Sequence, residues 1–340
     1  MYTARYRAYA KINLILNVVG KRPDGYHELE SVMQAVSLCD DVTVRLRHGA
    51  CGAGSAAMRH GACGAGAAAL RHGGSGAGSV GVTVDTDDAY IAAQSIPDDG
   101  RNTAYRAAEA YFARLAPRGG WRADIHIRKR IPAAAGLAGG SADAAAALRA
   151  LNDIAAQSRG MDGVRPLTEA ELLDAALSVG ADVPFCLAYG TERVDGGSAP
   201  HTAFAAGVGE KLRRVANAPP KYAVALVNPR IEVSTARVFA AYSPPSEYET
   251  EKISKLTRAM IESHNEDWTR CYNALERSVT ELHPEIGRLK AALLEAGALC
   301  AVMSGAGPTV YGLFDTVDGA ARAADVIRGD GAWAIACSLI

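Results

Sequence analysis

The sequence of 340 residues lacks the features that mark membrane proteins, secreted disulfide frameworks and nucleic-acid binders. It has no apolar run long enough to span a bilayer, and its start, MYTARYRAYAKINLIL, lacks the apolar core and cleavage site of a secretory signal. Its seven cysteines include no CxxC pair, which fits a reducing compartment. The formal net charge of −1 provides no basic field for nucleic acid or anionic lipid. These absences favour a cytoplasmic protein that binds a small molecule.

The order of apolar patterns and turns predicts an α+β protein of two lobes. Strands and helices intermix without a regular βαβ repeat, and the chain is longer than one typical domain. We place the lobe boundary at APPKY, which gives an N-terminal lobe of residues 1–217 and a C-terminal lobe of residues 218–340. Strands are predicted at 4–19, 41–46, VGVTVD, RADIHIRKRI, KYAVALVNP, both ends of CAVMSGAGPTVYGLF, and AWAIACSLI, and helices at 102–115, 141–157, 168–178 and around 250–296.

A low-complexity repeat interrupts the N-terminal lobe at about residues 47–79. RHGACGAGSAAM, RHGACGAGAAAL and RHGGSGAGS follow one another and lack the bulky apolar residues that build a core. His48, Cys51, His60 and Cys63 recur at regular spacing, so metal binding is one interpretation. A loop grown by duplication is the other, and the flanking glycines favour it because they leave the ligands unordered.

The stretch IPAAAGLAGGSADAAAAL, residues 131–148, lies between a predicted strand and a predicted helix. Gly136, Gly139 and Gly140 have no Cβ, so a phosphate could approach backbone N–H groups at the positive end of the helix dipole. The spacing fits neither GxxxxGK[ST] nor GxGxxG. A glycine-rich turn that serves only close helix packing is the alternative interpretation.

Two polar residues stand at the start of this helix. The Ser141 hydroxyl suits either a helix cap or a Mg²⁺ ion that accompanies nucleotide phosphates. Asp143 is most simply a first-turn carboxylate that satisfies the helix dipole.

The segment PAAAGLAGGSADAA resembles the phosphate-binding motif of the GHMP kinases. AKINLILNVVGKRPDGYHELESVMQAV, GADVPF and MSGAGPTVYGLF extend the resemblance from about residue 8 to the C-terminus, in the family's order. The first two are similar to the branch whose substrate is a cytidyl-linked methylerythritol of the non-mevalonate isoprenoid route. The resemblance implies a ribosomal protein S5 domain 2-like N-terminal lobe and a ferredoxin-like C-terminal lobe. It also implies ATP and Mg²⁺ as cofactors and transfer of the γ-phosphoryl group to the substrate's 2-hydroxyl.

The resemblance assigns the catalytic role to two residues, Lys11 in AKINL and Asp182 in GADVPF. A carboxylate can accept the proton of an alcohol, while an ammonium group orients that carboxylate and offsets charge on the phosphoryl group. Asp182 would also contact the substrate. Taken alone, Lys11 would be a solvated strand lysine and Asp182 a helix cap or turn residue.

The resemblance assigns ATP to the glycine-containing stretch and to an asparagine beside the adenine, Asn102 in RNTAYRAA. That asparagine could equally be only the N-cap of the helix that follows. The residues implied for ATP are Asn102, Pro132, Ala133, Ala134, Ala135, Gly136, Leu137, Ala138, Gly139, Gly140, Ser141 and Ala142.

Substrate contacts are implied for three separate segments. In the turn DGYHE, Tyr26 would stack on the cytosine and His27 would hydrogen-bond its edge, while Phe239 would lie on the other side of the base. Taken alone, these would be a packed tyrosine, a surface histidine and a core phenylalanine. Asn13 lies two residues from Lys11, so it shares a strand face and can serve substrate hydroxyls.

The segment SGAGP supplies the third contact, through Gly305 and Gly307, which in the family face the substrate and phosphates. A simple turn is the alternative. The implied partner is a small molecule with a cytidine diphosphate group; neither nucleic acid nor membrane is expected, and the chain would be a monomer or weak dimer.

Two rival functions follow from the same motifs. A homoserine or mevalonate kinase of the superfamily would need no base recognition, so DGYHELESV counts against it. A non-catalytic nucleotide-binding regulator would need no Lys11 or Asp182. Besides the repeat, the segment TERVDGGSAPH, residues 191–201, departs from the family pattern. We expect a surface insertion there that could alter access to the cleft.

Overall fold

The computed structural model describes residues 1–48, 79–115, 121–158, 164–196, 201–215, 218–262 and 267–340. The predictions for residues 49–78 of the repeat therefore fall outside the described residues, as do those for 197–200 and 216–217. None of the helices in the described part of the chain has an apolar stretch long enough to cross a membrane.

The described residues form two sheets with helices packed on them. The strands are β1 (Tyr2–Lys21), β2 (His27–His48), β3 (Ser79–Asp85), β4 (Trp121–Arg128), β5 (Thr191–Arg193), β6 (Thr202–Gly207), β7 (Lys211–Arg214), β8 (Ala223–Asn228), β9 (Tyr272–Asn273), β10 (Cys300–Met303), β11 (Val310–Phe314) and β12 (Trp333–Ser338). The helices are α1 (Ala89–Ala92), α2 (Thr103–Ala113), α3 (Gly139–Gln157), α4 (Glu169–Val179), α5 (Val183–Tyr189), α6 (Thr235–Ala241), α7 (Glu247–Glu262), α8 (Glu276–Leu282), α9 (Pro284–Glu295) and α10 (Val317–Gly329).

The larger sheet has the strand order β3-β4-β2-β1-β5. Strand β6 joins it beside β2, β7 pairs with β6, and the short β9 pairs with β1. Neighbours are antiparallel except β3 with β4 and β9 with β1. Helix α3 packs on β1 and β2 and contacts α2 and α5, so the glycine-rich stretch before α3 lies beside the central strands.

The smaller sheet has the order β10-β11-β8-β12, with every pair antiparallel. Helices α6 to α9 lie between β8 and β10 in the chain, and α10 connects β11 to β12. This arrangement is the βαββαβ pattern of ferredoxin-like folds. The four strands all follow the predicted boundary at residue 218, whereas β9, which also follows it, pairs with the larger sheet.

Strand β1 runs through all three hydrophobic clusters that the described residues form. Residues 4–8 pack with the helices of the N-terminal lobe, residues 10–15 pack with β8, β11 and β12, and residues 16–18 pack with the helical layer of the C-terminal lobe. Residues 8–18 are buried on both faces. A strand covered on both faces carries a continuous apolar run rather than an alternating one, which explains the run INLIL in this sequence.

Three segments differ from the sequence predictions. Strand β2 extends over His27–His48 instead of 41–46, because much of it is also buried on both faces and so shows no alternation. The pattern GADVPFCLAYG predicts a loop and a short apolar segment, whereas Val183–Tyr189 is a helix with proline in its first turn, where proline is well tolerated. Residues 191–193 pair with β1, and the His201 carbonyl accepts a hydrogen bond from Ala35 N–H. The start of the 191–201 segment is therefore part of the sheet, whereas residues 194–196 form an exposed turn.

Candidate active site

The stretch before α3 is a tight loop with unusual backbone geometry. Ala134, Gly136 and Ala138 have φ values of 49°, 76° and 57°. This left-handed conformation is unfavourable for alanine and is concentrated at functional sites. Ala138 occupies the N-cap position of α3 and makes no side-chain cap hydrogen bond. The first N–H groups of a 19-residue helix therefore point out of the loop without a side-chain acceptor, which is the arrangement that binds anions.

The glycines of this loop lie against protein atoms. A Cβ on Gly136 would lie 2.3 Å from the Ser304 carbonyl oxygen, one on Gly139 would lie 2.8 Å from Ile131 Cγ2, and one on Gly140 would lie 3.0 Å from Thr103 Oγ1. Close packing, the alternative interpretation of this stretch, therefore explains why these three positions are glycine. An anion would therefore be bound by the backbone N–H groups at the start of α3 rather than by the glycine positions themselves.

The two glycine-containing loops predicted to face the reactants touch each other. Ser304 Oγ donates a hydrogen bond to the Gly136 carbonyl at 2.9 Å. A Cβ on Gly305 would lie 3.2 Å from the same oxygen and 3.7 Å from Asn13 Oδ1. The structure thus brings together the loop assigned to ATP, the loop assigned to the substrate and the strand that carries Lys11.

Lys11 and Asp182, far apart in sequence, meet beside these loops. Lys11 Nζ lies 3.4 Å from Asp182 Oδ2 and donates a hydrogen bond to Asn13 Oδ1 at 2.8 Å. The Lys11 N–H donates to the Leu137 carbonyl at 3.1 Å, which ties β1 to the phosphate loop. Because Lys11 and Asn13 are two residues apart on one strand, their side chains share a face.

Asp182 does lie in a turn, but the roles of a solvated lysine for Lys11 and a side-chain helix cap for Asp182 are wrong. Lys11 is only 4% exposed, so it is not a solvated lysine. Asp182 occupies the N-cap position of α5, but its side chain makes no cap hydrogen bond. Its carboxylate faces Lys11 instead and is 32% exposed, which leaves it accessible to a hydroxyl group that enters the site.

Sequence reasoning missed three residues that hold this site together. Ser31 on β2 accepts a hydrogen bond from Asn13 Nδ2 at 2.8 Å and so fixes the amide. Tyr311 donates its hydroxyl to the Asn13 carbonyl at 2.9 Å. Asn273 donates to the carbonyls of Met303 and Gly305 at 2.7 and 2.8 Å, which holds the second glycine loop. Ser31 and Tyr311 lie inside segments that carry the family resemblance, but nothing in those segments singles them out, and Asn273 lies outside all of them. The only trace of the three in the sequence is a polar residue in an apolar setting.

A buried charge cluster lies beneath the phosphate loop. Lys129 Nζ is 2.5 Å from Asp40 Oδ2 and 2.8 Å from Asp143 Oδ2, and all three residues are buried. Asp40 also accepts hydrogen bonds from the N–H groups of Arg130 and Ile131. Asp143 therefore does not serve as a first-turn dipole partner, as expected from sequence, but shares Lys129 with Asp40.

Burial raises the pKa of the Asp143 carboxyl to about 8; the Lys129 charge lowers it and the Asp40 charge raises it further. An unfolded aspartate titrates near pH ~3.9. Because the folded pKa is the higher one, this group's stabilising contribution is complete below pH ~4 and is lost as pH rises toward the folded pKa. We therefore expect the unfolding free energy of the wild type, relative to that of Asp143→Asn, to fall by about 1 kcal/mol per pH unit between pH ~5 and ~7.

Urea unfolding of both proteins across that range measures this difference. Asp143→Asn keeps the size of the neutral acid and cannot titrate, so it isolates the contribution of this carboxyl group. A difference that stays constant with pH would contradict the raised pKa.

The residues assigned to the adenine side serve the fold as well. Asn102 caps α2 by accepting from Ala104 N–H at 2.8 Å, and its amide donates to the Pro97 carbonyl at 2.7 Å. The cap role is therefore present, and a contact with adenine stays a prediction. Thr103 Oγ1 donates to the Gly140 carbonyl at 2.6 Å, which joins the start of α2 to the start of α3.

The residues assigned to the pyrimidine form an aromatic group at the end of the first hairpin. The rings of His27 and Phe239 are stacked, with centroids 5.1 Å apart and planes inclined by 25°. Phe239 is half-buried rather than a core residue. Tyr26 is 65% exposed in the turn beside them and is free of a packing role under that turn. Burial and the charge of Lys21 lower the pKa of His27. A neutral imidazole can both donate and accept on the edge of a base.

The side chains near the phosphate loop include one candidate ligand for Mg²⁺. The described part of the chain contains no group of three or more His, Cys, Asp or Glu residues that could hold a metal ion. Ser141 is half-buried in the first turn of α3. Its hydroxyl fits a Mg²⁺ ion that takes its other ligands from nucleotide phosphates and water.

Sequence profiles and solved structures define the class of this protein. The profile of the GHMP kinases N-terminal domain matches residues 102–190, and that of the GHMP kinases C-terminal domain matches residues 251–331. A solved homoserine kinase from Cytophaga hutchinsonii superposes with a TM-score of 0.64 over 99% of this chain and 94% of its own, at 17% identity. That identity shows a shared fold alone. The predicted α+β two-lobed fold is thus confirmed as the GHMP kinase fold.

Relatives with higher sequence identity identify one family within the GHMP kinases. A 4-diphosphocytidyl-2-C-methyl-D-erythritol kinase from Pelotomaculum thermopropionicum is 38% identical over 93% of this chain and 91% of its own length. A solved 4-(cytidine 5'-diphospho)-2C-methyl-D-erythritol kinase is 28% identical, covers 98% of each chain and has a TM-score of 0.64. The chain belongs to the family of 4-diphosphocytidyl-2-C-methyl-D-erythritol kinases.

Proposed function

We propose that this chain transfers the γ-phosphoryl group of ATP to the 2-hydroxyl of 4-diphosphocytidyl-2-C-methyl-D-erythritol, giving the 2-phosphate and ADP. It would act in the non-mevalonate route to isopentenyl diphosphate. The observation that carries the proposal is the pairing of buried Lys11 with the uncapped carboxylate of Asp182, beside the contact of the two glycine-containing loops. The family membership supplies the substrate class.

Each part of the site has a role in this transfer. Asp182 accepts the proton of the substrate hydroxyl as that oxygen bonds to the γ-phosphorus, and the bond to the β,γ-bridging oxygen breaks to release ADP. Lys11 holds the carboxylate in place and offsets negative charge on the phosphoryl group. Asn13, fixed by Ser31 and Tyr311, offers an amide to substrate hydroxyls.

ATP would be bound by residues 132–142, with Asn102 beside the adenine. Ser141 is the residue we assign to Mg²⁺, which would neutralise part of the phosphate charge when bound. Gly305 and Gly307 would face the phosphates from the second lobe. Tyr26, His27 and Phe239 would recognise the cytosine. The reaction suits a cytoplasmic protein, because both ATP and the nucleotide-linked alcohol are intracellular metabolites.

A coupled assay of ADP release tests the proposal. Purified protein is offered ATP with 4-diphosphocytidyl-2-C-methyl-D-erythritol, homoserine or mevalonate in parallel reactions. ADP that appears only with the cytidyl substrate supports the proposal. Release with homoserine or mevalonate instead would assign the chain to a different GHMP reaction, and release with none of the three would favour the regulator.

A further inference from the structure

The aromatic group at the end of the first hairpin contains a ring that no motif indicated. Tyr242 lies at the C-cap of α6, three residues after Phe239. Its ring meets the His27 ring edge to face, with centroids 5.9 Å apart and planes at 90°. Residues three apart near a helix end lie on the same side, so Phe239 and Tyr242 enclose His27 on two sides.

The hydroxyl of Tyr242 does not explain why a tyrosine stands here. The oxygen is buried and has no hydrogen-bond partner among the described residues. A buried hydroxyl that lacks a partner lowers stability relative to an apolar group of the same shape. The contacts of Tyr242 are therefore made by its ring, which packs against the core cluster of the C-terminal lobe and meets the His27 ring.

His27 depends on neighbours for its orientation. It is the first residue of β2, directly after the exposed turn that carries Tyr26, and its cross-strand partner is Lys21. Among the described residues no hydrogen bond fixes its ring, so the two aromatic rings are the contacts that set its direction. An imidazole that recognises the edge of a base must hold one orientation, since each ring nitrogen offers a different hydrogen bond.

We propose that Tyr242 is a positioning residue for pyrimidine recognition: with Phe239 it holds the His27 ring so that its nitrogens meet the base edge. The inference rests on the proposed function, because a pyrimidine nucleotide must be the ligand. It concerns substrate affinity and leaves the chemistry at Lys11 and Asp182 unchanged.

The titration of His27 provides an independent measure of this enclosure. Two titratable groups lie close to the His27 imidazole: Lys21 from β1, whose charge acts on it, and Tyr242 from the end of α6, whose ring contacts it. Burial and, to a smaller extent, electrostatic repulsion from Tyr272 raise the pKa of Tyr242 to about 12, so the Tyr242 hydroxyl stays neutral near pH ~7. Removal of the Tyr242 ring would expose the imidazole and raise the pKa of His27 toward its ordinary value. The acid limb of kcat/KM for the cytidyl substrate would then move to higher pH.

The experiment compares the wild type with Tyr242→Phe, Tyr242→Leu and Tyr242→Met. Tyr222→Leu is the matched control, because Tyr222 is another half-buried tyrosine of the same lobe with no contact to His27. We expect Tyr242→Leu and Tyr242→Met to raise KM for the cytidyl substrate and Kd for cytidine diphosphate roughly 5- to 10-fold, the value of one aromatic contact. The kcat and the KM for ATP should not change. Tyr242→Phe should keep wild-type affinity and unfold at the same or a higher temperature.

NMR titration of the His27 imidazole completes the test, with a raised His27 pKa expected only in Tyr242→Leu and Tyr242→Met. Unchanged KM and unchanged His27 pKa in Tyr242→Leu and Tyr242→Met would overturn the inference while the wild type still phosphorylates the cytidyl substrate. An equal loss in Tyr242→Phe would assign the effect to the hydroxyl and also overturn it. A wild type that does not bind cytidine diphosphate would overturn the proposed function, and this inference with it.

Discussion

Replacement of Asp182 by Asn is expected to lower kcat by about 1,000-fold, because a positioned general base contributes on that order and an amide cannot accept the proton. ATP affinity should stay within about 2-fold of the wild type, since the phosphate loop is a separate element. Asn keeps the size of Asp182 and can still face Lys11, so the fold should be retained. Single-turnover kinetics and ATP titration by calorimetry measure the two quantities.

Asp174→Asn is a suitable control, because Asp174 lies exposed on α4, outside the site. It makes the same chemical change and should leave kcat unaffected. Near-full activity in Asp182→Asn would exclude this carboxylate as the base. A parallel loss of ATP affinity would instead show that Asp182 acts in nucleotide binding.

Replacement of Gly136 by Ala is expected to lower the unfolding free energy by about 3 kcal/mol and kcat/KM for ATP by about 100-fold. The new Cβ would lie 2.3 Å from the Ser304 carbonyl oxygen and 2.9 Å from that of Gly307. Both are backbone atoms, so neither loop can relieve the contact by rotating a side chain. The loops must move apart, which displaces the N–H groups at the start of α3.

Gly297→Ala separates backbone strain from this clash. Gly297 has a φ of 92°, close to the 76° of Gly136, but no atom lies within 4 Å of its added Cβ. It should therefore show only the cost of alanine in a left-handed conformation, about 1 kcal/mol, with full activity. Urea unfolding and steady-state kinetics of both variants test the distinction. Equal effects in the two variants would mean that the contact between the loops contributes nothing.

The sequence predicted the parts of this site that lie within continuous motifs. The phosphate loop, Lys11 and Asp182 each stand in a segment with its own spacing, and Lys11 with Asn13 follows from strand periodicity alone. The segment at Val183–Tyr189 was wrongly predicted as partly a loop, because a seven-residue apolar helix is too short to show a helical period.

The residues that sequence reasoning missed act across long separations. Asn273 holds the carbonyl of Gly305, and Ser31 holds the amide of Asn13, through single hydrogen bonds that impose no pattern on the chain. Tyr242 was missed for a different reason. Helix α6 is mostly exposed and was not predicted, so the spacing of three residues from Phe239 carried no meaning before the helix was known.

The path of β1 through three hydrophobic clusters has a consequence for how the chain can be divided. A division at residue 218 would separate two sheets, but it would leave residues 10–15 without the partners they have on β8, β11 and β12. It would also remove β9 from the edge of β1. The two lobes are therefore units of description, and because β1 contributes to the cores of both we expect them to unfold as a single cooperative unit. Neither half is an independent module that could be exchanged without redesign of this strand.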